Sequence, residues 1–291
     1  MFAIKLLSRL PLGALYALSD FLFFVSFYIV KYRRKLVWRN LRNSFPEKSA
    51  AELKIIEKAF YKNLCDYGVE MIKLLTITRE ELSRRVTFTN PEVSIQYIDK
   101  GQSLLNLASH QFNWEWLLAA GSFILPGQMD FVYQPVRNKF FNAFSFTCRT
   151  RFGAYGIKRD SVAREVIKRR DIVRNIAIVG DQYPGHGHDK RYAATFLHQP
   201  TVFFNGPNQL AQLTQYPVFY YAMRKVKRGY YEATLIELAL PPYDKENTDV
   251  LKSYIPEIEK VIYNDPAGWL WSHNRWKTRH LKPNQVVEET P

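Results

Sequence analysis

The chain begins with a long, nearly uninterrupted apolar run. Leu10 to Val30 reads LPLGALYALSDFLFFVSFYIV and carries a single charge, Asp20. About 20 apolar residues are enough to cross the hydrocarbon of a bilayer, so the run predicts a membrane helix. It is too long for the core of a signal peptide, and no small-residue cleavage site follows it. Residues 31–42, KYRRKLVWRNLR, add six basic residues and no acidic one. Such a cluster keeps its flank on the cytoplasmic side and attracts anionic head groups. Asp20 complicates the picture, because a charge at mid-membrane costs about 2.5–3.5 kcal/mol on insertion scales. Spanning, lying in the interface and re-entering all remain open, as does the buried helix of a soluble protein.

Beyond this run the pattern becomes amphipathic. Ser49 to Leu75 places Leu53, Ile56, Phe60, Leu64, Tyr67 and Met71 at helical spacing, and Ser49 with Glu52 forms a capping-box pattern. Short apolar runs then alternate with helical ones. Strands are predicted at Ser103–Ser109, Asp130–Tyr133, Asn175–Val179, Pro217–Met223 and Tyr231–Leu240. Helices are predicted at Trp114–Ser122, Lys139–Arg151, Ser161–Lys168, Gly206–Leu213 and Thr248–Tyr263. This alternation implies an α/β fold, with a mostly parallel or mixed central sheet covered by helices and an amino-terminal hydrophobic membrane helix. No repeat or low-complexity linker divides the remainder, so residues 1–45 read as anchor and basic juxtamembrane segment, and 46–291 as one domain.

Composition narrows the functional classes. With 47% hydrophobic and 15% aromatic residues in 291, the chain can bury a full core and is not disordered. The formal net charge of +14 attracts polyanions: nucleic acid, anionic lipid or an acidic carrier protein. Cys65 and Cys148 lie far apart and indicate neither a disulfide scaffold nor a cysteine metal site.

The stretch that carries chemistry is SLLNLASHQFNWEWLLAAGS, residues 103–122. An apolar strand ends near Ser109, His110 follows, and Asn113 is a good N-cap for the helix after it. On one continuous helix, His110 and Glu115 would lie about 140° apart and could not meet. With His110 in the turn before the helix and Glu115 in its first turn, the two side chains can approach. A neutral imidazole is suited to take a proton from an attacking hydroxyl at cytoplasmic pH. A carboxylate on its other nitrogen fixes the tautomer. The His-x4-Glu spacing alone is weak, and the strand–His–helix context is what gives it meaning.

Several further segments stand in order with these: KYRRKLVWRNLRNSFPE, VYQPVRN, FGAYGIKRDS, VGDQYP and PAGWLWSHNRWK. Together with SHQFNWEWL they resemble the lipid A biosynthesis lauroyl/myristoyl acyltransferase family, within the lysophospholipid-acyltransferase-like superfamily, from Leu10 to about Lys277. The resemblance implies a membrane-bound O-acyltransferase with residues 46–291 as its acyltransferase domain. It would move a fatty acyl group from an acyl carrier protein thioester to a hydroxyl of a lipid A precursor at the cytoplasmic face of a bacterial inner membrane, without cofactor or metal. It implies His110 as general base with Glu115 as partner, and Arg159, Asp181 and Gln182 as substrate-binding. By themselves Arg159 reads as a solvated surface charge and Asp181 as a cap or turn residue. The sequence also departs from the family pattern at Gln134 and Asn274, where basic residues are common, and at His198, where many members have glycine. These departures leave the acceptor open, and a phosphoglycolipid, an aminolipid or an aryl-polyene-type lipid are alternatives. A non-catalytic lipid-binding module is the rival of another class.

Two signals lead elsewhere. GHGHD, residues 185–189, has His186, His188 and Asp189 at metal-like spacing but no evident further ligand. Basic and aromatic residues interleave in WSHNRWKTRHLK as on a nucleic-acid stacking platform, yet no nucleic-acid-binding fold accompanies them. A membrane surface or an acidic carrier protein accounts for them equally well.

Overall fold

The computed structural model describes residues 2–184, 190–244, 249–277 and 285–287. The GHGHD stretch therefore lies outside the described residues. The amino-terminal apolar run is broken into pieces. Helix α1 (Phe2–Ser8) gives way at Pro11 to α2 (Leu12–Phe24), which ends in a π-helical turn at Val25–Ile29. Lys31 and Arg33, both with left-handed backbone, separate it from α3 (Arg34–Ser44). Helix α4 (Ala50–Lys73) starts at the predicted capping box: Ser49 Oγ accepts from Glu52 N at 3.3 Å, and the Glu52 carboxylate accepts from Ser49 N at 2.8 Å.

After α5 (Arg79–Arg85), β1 (Val86–Phe88) and α6 (Glu92–Ile98), strands and helices alternate at the predicted positions, with β4 (Tyr155–Lys158) as an additional strand. They are β2 (Leu104–Ala108), α7 (Trp114–Ile124), β3 (Gln128–Tyr133), α8 (Lys139–Thr150), β4 (Tyr155–Lys158), α9 (Val162–Lys168) and β5 (Arg174–Val179). A hairpin of β6 (Arg191–Phe196) and β7 (Gln199–Phe204) follows, then α10 (Gly206–Thr214), β8 (Val218–Lys227), β9 (Tyr230–Ala239) and α11 (Val250–Asn264). The last strand is β10 (Gln285–Val287).

Seven strands form the main sheet in the order β1-β9-β8-β2-β5-β3-β4. Every pairing in it is parallel except the β8–β9 hairpin. Strands β6, β7 and β10 form a separate antiparallel sheet. All five residues of β2 are buried, as a central parallel strand covered on both faces must be. Leu105 and Leu107 pack with Ile176, Ile178, Tyr220 and α11 on one face, while Leu104 and Ala108 pack with Trp116, Met129, Phe219 and Tyr221 on the other. Phe23, Phe27, Val37, Leu41 and Phe45 from residues 1–45 belong to the first of these cores.

The polar side of α4 ties the amino terminus to the sheet. Glu70 is fully buried, and its carboxylate accepts from Tyr16 Oη (2.8 Å), Asn113 Nδ2 (2.7 Å) and Tyr231 Oη (2.8 Å). Those donors come from α2, the N-cap of α7 and β9. Burial pushes the Glu70 carboxyl up, and the three donors oppose that shift. One turn earlier, Asp66 accepts from Ser19 Oγ at 2.7 Å and from the Arg228 guanidinium at 2.6–3.0 Å.

Glu70→Ala would leave these three donors without a partner, and an unsatisfied buried polar group costs about 1–3 kcal/mol. Denaturant unfolding of this variant is expected to show a loss of roughly 3 kcal/mol or more.

Candidate active site

Strands β2 and β5 are parallel neighbours, with Ala108 opposite Val179, so the chain leaves both at the same edge of the sheet. His110 stands two residues past β2, and Asp181 two residues past β5. Ligand sites in α/β sheets lie at such carboxyl edges, and the two side chains meet there. His110 Nδ1 lies 2.6 Å from Asp181 Oδ1, and the His110 backbone N–H donates to Asp181 Oδ2 at 2.9 Å. The same Oδ2 accepts from Trp269 Nε1 at 2.7 Å. The carboxylate is wholly buried while the imidazole remains partly open.

This donor set fixes the chemistry of the pair. An ionised carboxylate only accepts hydrogen bonds, so its contact to Nδ1 requires the Nδ1–H tautomer and leaves the Nε2 lone pair for a substrate. Burial works against the Asp181 charge, but His110 and the N–H donors outweigh it and hold the carboxyl below the usual range. Nearby His273 is driven down to about 4, chiefly by burial and then by Arg275, so it stays neutral; its Nε2 accepts from Tyr183 N at 3.2 Å.

The turn that carries His110 is held by the segment after α11. Leu270 N donates to His110 O (3.1 Å), Phe112 N to Gly268 O (2.8 Å), and Gln111 Nε2 to Asp265 O (3.0 Å). Phe112 has φ of +50°, an uncommon conformation for a non-glycine residue. A Cβ on Gly268 would come within 2.5 Å of the Phe112 ring, so the close approach requires glycine. The tryptophan-rich landmark PAGWLW is thus the clamp on the imidazole.

The expected contact between His110 and Glu115 is not made. Glu115 does lie in the first turn of α7, but its carboxylate engages Arg149 of α8 through both oxygens, at 2.6 and 2.8 Å, and accepts from Trp114 Nε1 at 3.1 Å. The reason is competition. Arg149 offers two parallel donors to Glu115, while Asp181 already occupies both N–H groups of His110. Adjacent-strand proximity of His110 and Asp181, 71 residues apart, leaves no short-range spacing to read.

Both residues still face one cavity. A pocket of about 410 Å³ is lined by His110, Glu115, Arg149, Arg159 and Gln182 at its polar parts, and by Leu117, Met129, Phe131, Phe146 and Tyr221 among its apolar ones. That volume is within the roughly 300–1,000 Å³ usual for small-molecule sites. Arg159 reaches Gln134 Oε1 at 3.4 Å and lies over the Phe204 ring. Asp181 stands behind the imidazole, outside the lining. Arg149 and Trp269 are site residues that the sequence reading missed. For Arg149 no local signal exists, and for Trp269 the signal was only its place in an aromatic landmark.

A sequence model of the family described as bacterial lipid A biosynthesis acyltransferase matches residues 1–278. No curated protein matches the chain.

In Asp181→Asn, an amide nitrogen must face either the two N–H donors at Oδ2 or the imidazole Nδ1, where it would impose the wrong tautomer. The turnover number is expected to fall roughly a hundredfold or more. Because the folded-state Asp181 carboxyl is depressed, its contribution to stability is present above the ordinary aspartate range, near about 4, and is lost as pH falls below it. The stability gap between the two proteins should therefore narrow on acidification, as thermal unfolding across pH would show.

Proposed function

The chain belongs to that acyltransferase family, and on this premise we propose that it transfers a fatty acyl group from a thioester to the hydroxyl of a membrane lipid, with His110 as general base. The observation that carries the proposal is the His110–Asp181 pair at the wall of a largely apolar pocket. The acyl chain occupies the apolar part, beside Leu117, Met129 and Tyr221. Nε2 of His110 takes the proton of the lipid hydroxyl as its oxygen attacks the thioester carbonyl. The tetrahedral intermediate then collapses, the carbon–sulfur bond breaks, and the thiolate leaves and receives the proton from the imidazolium. Asp181 keeps the ring oriented and stabilises the imidazolium while it exists.

Glu115 holds Arg149 at the pocket, and Arg159 supplies a planar multi-donor cation for an acceptor phosphate or a developing oxyanion. The donor is an acyl carrier protein thioester, to which a chain of net charge +14 offers complementary charge. The acceptor is a lipid A precursor at the cytoplasmic face of the inner membrane. Gln134 bears on the acceptor: it sets an uncharged amide beside Arg159 where the resemblance leads one to expect arginine. That favours an acceptor with less phosphate at this point, and an aminolipid or aryl-polyene-type lipid is the second reading.

Incubation of the purified protein with acyl carrier protein thioesters and candidate lipids, read by mass spectrometry, tests this. Transfer should be seen with the wild type and abolished in His110→Ala, while full activity in that variant would sink the mechanism. The lipids of a strain lacking the protein separate the acceptors. Pocket depth has its own test at Gly121, where an added Cβ would meet Met129 Cε at 3.1 Å and Phe88 Cζ at 3.7 Å. Gly121→Leu should shift preference toward shorter acyl thioesters, by roughly tenfold in relative kcat/KM; unchanged preference would place the chain elsewhere.

A further inference from the structure

The apolar amino terminus is long enough to cross a bilayer, yet it is docked along its length on a charged helix. Lys73 Nζ donates to the carbonyls of Ser8 (3.3 Å) and Leu10 (3.0 Å). Tyr16 bonds Glu70 and Ser19 bonds Asp66, as described above. Asp20, the residue that sits badly in a spanning helix, is paired with Arg228 at 2.8 and 3.1 Å, and this contact holds its carboxyl below the usual range. Farther on, Ser26 meets Cys65 at 3.6 Å, Tyr61 donates to Tyr32 O, and Arg34 pairs with Glu57 at 3.0 Å. The partners descend from residue 73 to 57 while the segment ascends from 8 to 34, so the two run antiparallel.

Helix α4 is 24 residues long, which spans about 36 Å at 1.5 Å per residue and matches the thickness of a hydrocarbon core. It carries Lys54, Glu57, Lys58, Lys62, Asp66, Glu70 and Lys73. If residues 12–29 crossed the membrane in this structure, α4 and the β8–β9 turn bearing Arg228 would have to enter hydrocarbon with them. If the segment crossed alone, Glu70 would lose Tyr16, Asp66 would lose Ser19, Lys73 would lose both of its carbonyls, and Asp20 would enter hydrocarbon without Arg228. Neither is compatible with the cost of buried unpaired charge.

The side of the segment turned away from α4 is apolar and exposed, with Phe2, Leu6, Phe21, Phe24, Ile29 and Val30 at the surface. Exposed Lys5, Arg9, Lys31 and Lys35 flank it. An apolar face rimmed by cations fits the surface of an anionic lipid leaflet, with the helix in the interface plane. We propose that residues 2–30 lie in one leaflet, docked on α4, with the amino terminus on the same side of the membrane as the domain. A single Asp20–Arg228 contact thus serves an in-plane helix where it would oppose a spanning one. The proposal goes beyond the acyl-transfer reading and is measured without any acyltransferase assay.

The full-length protein, with an epitope and protease site before Met1, is reconstituted into sealed vesicles of phosphatidylethanolamine and phosphatidylglycerol. Vesicles are sorted by accessibility of a carboxyl-terminal epitope. External protease should remove the amino-terminal epitope wherever the carboxyl-terminal one is accessible; protection there, with cleavage only after detergent, overturns the proposal. A second measurement uses Phe21→Ser/Phe24→Ser, with retained circular dichroism as the check on folding. Its partitioning onto the same vesicles should weaken by roughly tenfold or more, and unchanged partitioning would also overturn it.

Discussion

The carboxylate of Asp181 has no access to water, so its two oxygens must be satisfied by protein donors. They accept three N–H groups: the His110 backbone, the His110 ring and the Trp269 indole. This requirement joins three distant parts of the chain, namely the ends of β2 and β5 and the segment after α11. It also decides which imidazole nitrogen carries the proton, and hence which one is left for chemistry. The imidazole fixed in this way stands in the wall of the pocket.

Glu70 imposes a second constraint of the same kind. Its buried carboxylate gathers Tyr16, Asn113 and Tyr231, and its backbone carbonyl accepts from Trp116 Nε1 at 3.0 Å. Because Asn113 caps α7 with its side chain as well, the start of that helix and the position of Glu115 depend on α4. Asp66 repeats the arrangement with Ser19 and Arg228. Two acidic side chains on one amphipathic helix therefore bind the amino-terminal segment and the turn between β2 and α7 to the same scaffold.

The seven strands include five that local pattern makes legible, because buried parallel strands are short apolar runs bounded by turn residues. The other two strands of that sheet, β1 and β4, and the separate β6–β7 hairpin are harder to read. Tyr155–Lys158 is too short and polar at both ends to stand out. The hairpin turns through Leu197 and His198, both at positive φ, where glycine or asparagine would have given a plain signal.

The sequence by itself determined the α/β class, the capped helix over Ala50–Lys73, the apolar amino terminus and the placement of His110 between a strand and a helix. These follow from periodicity, capping chemistry and composition, all of which act over a few residues. Only the tertiary structure decided that the carboxylate on His110 is Asp181 and not Glu115, that Arg149 takes Glu115 instead, and that Asp20 has Arg228 as its partner. Those pairings join residues 71, 34 and 208 positions apart. Which charges share a buried site is set by adjacent strands and packed helices, and nothing in local spacing encodes that adjacency.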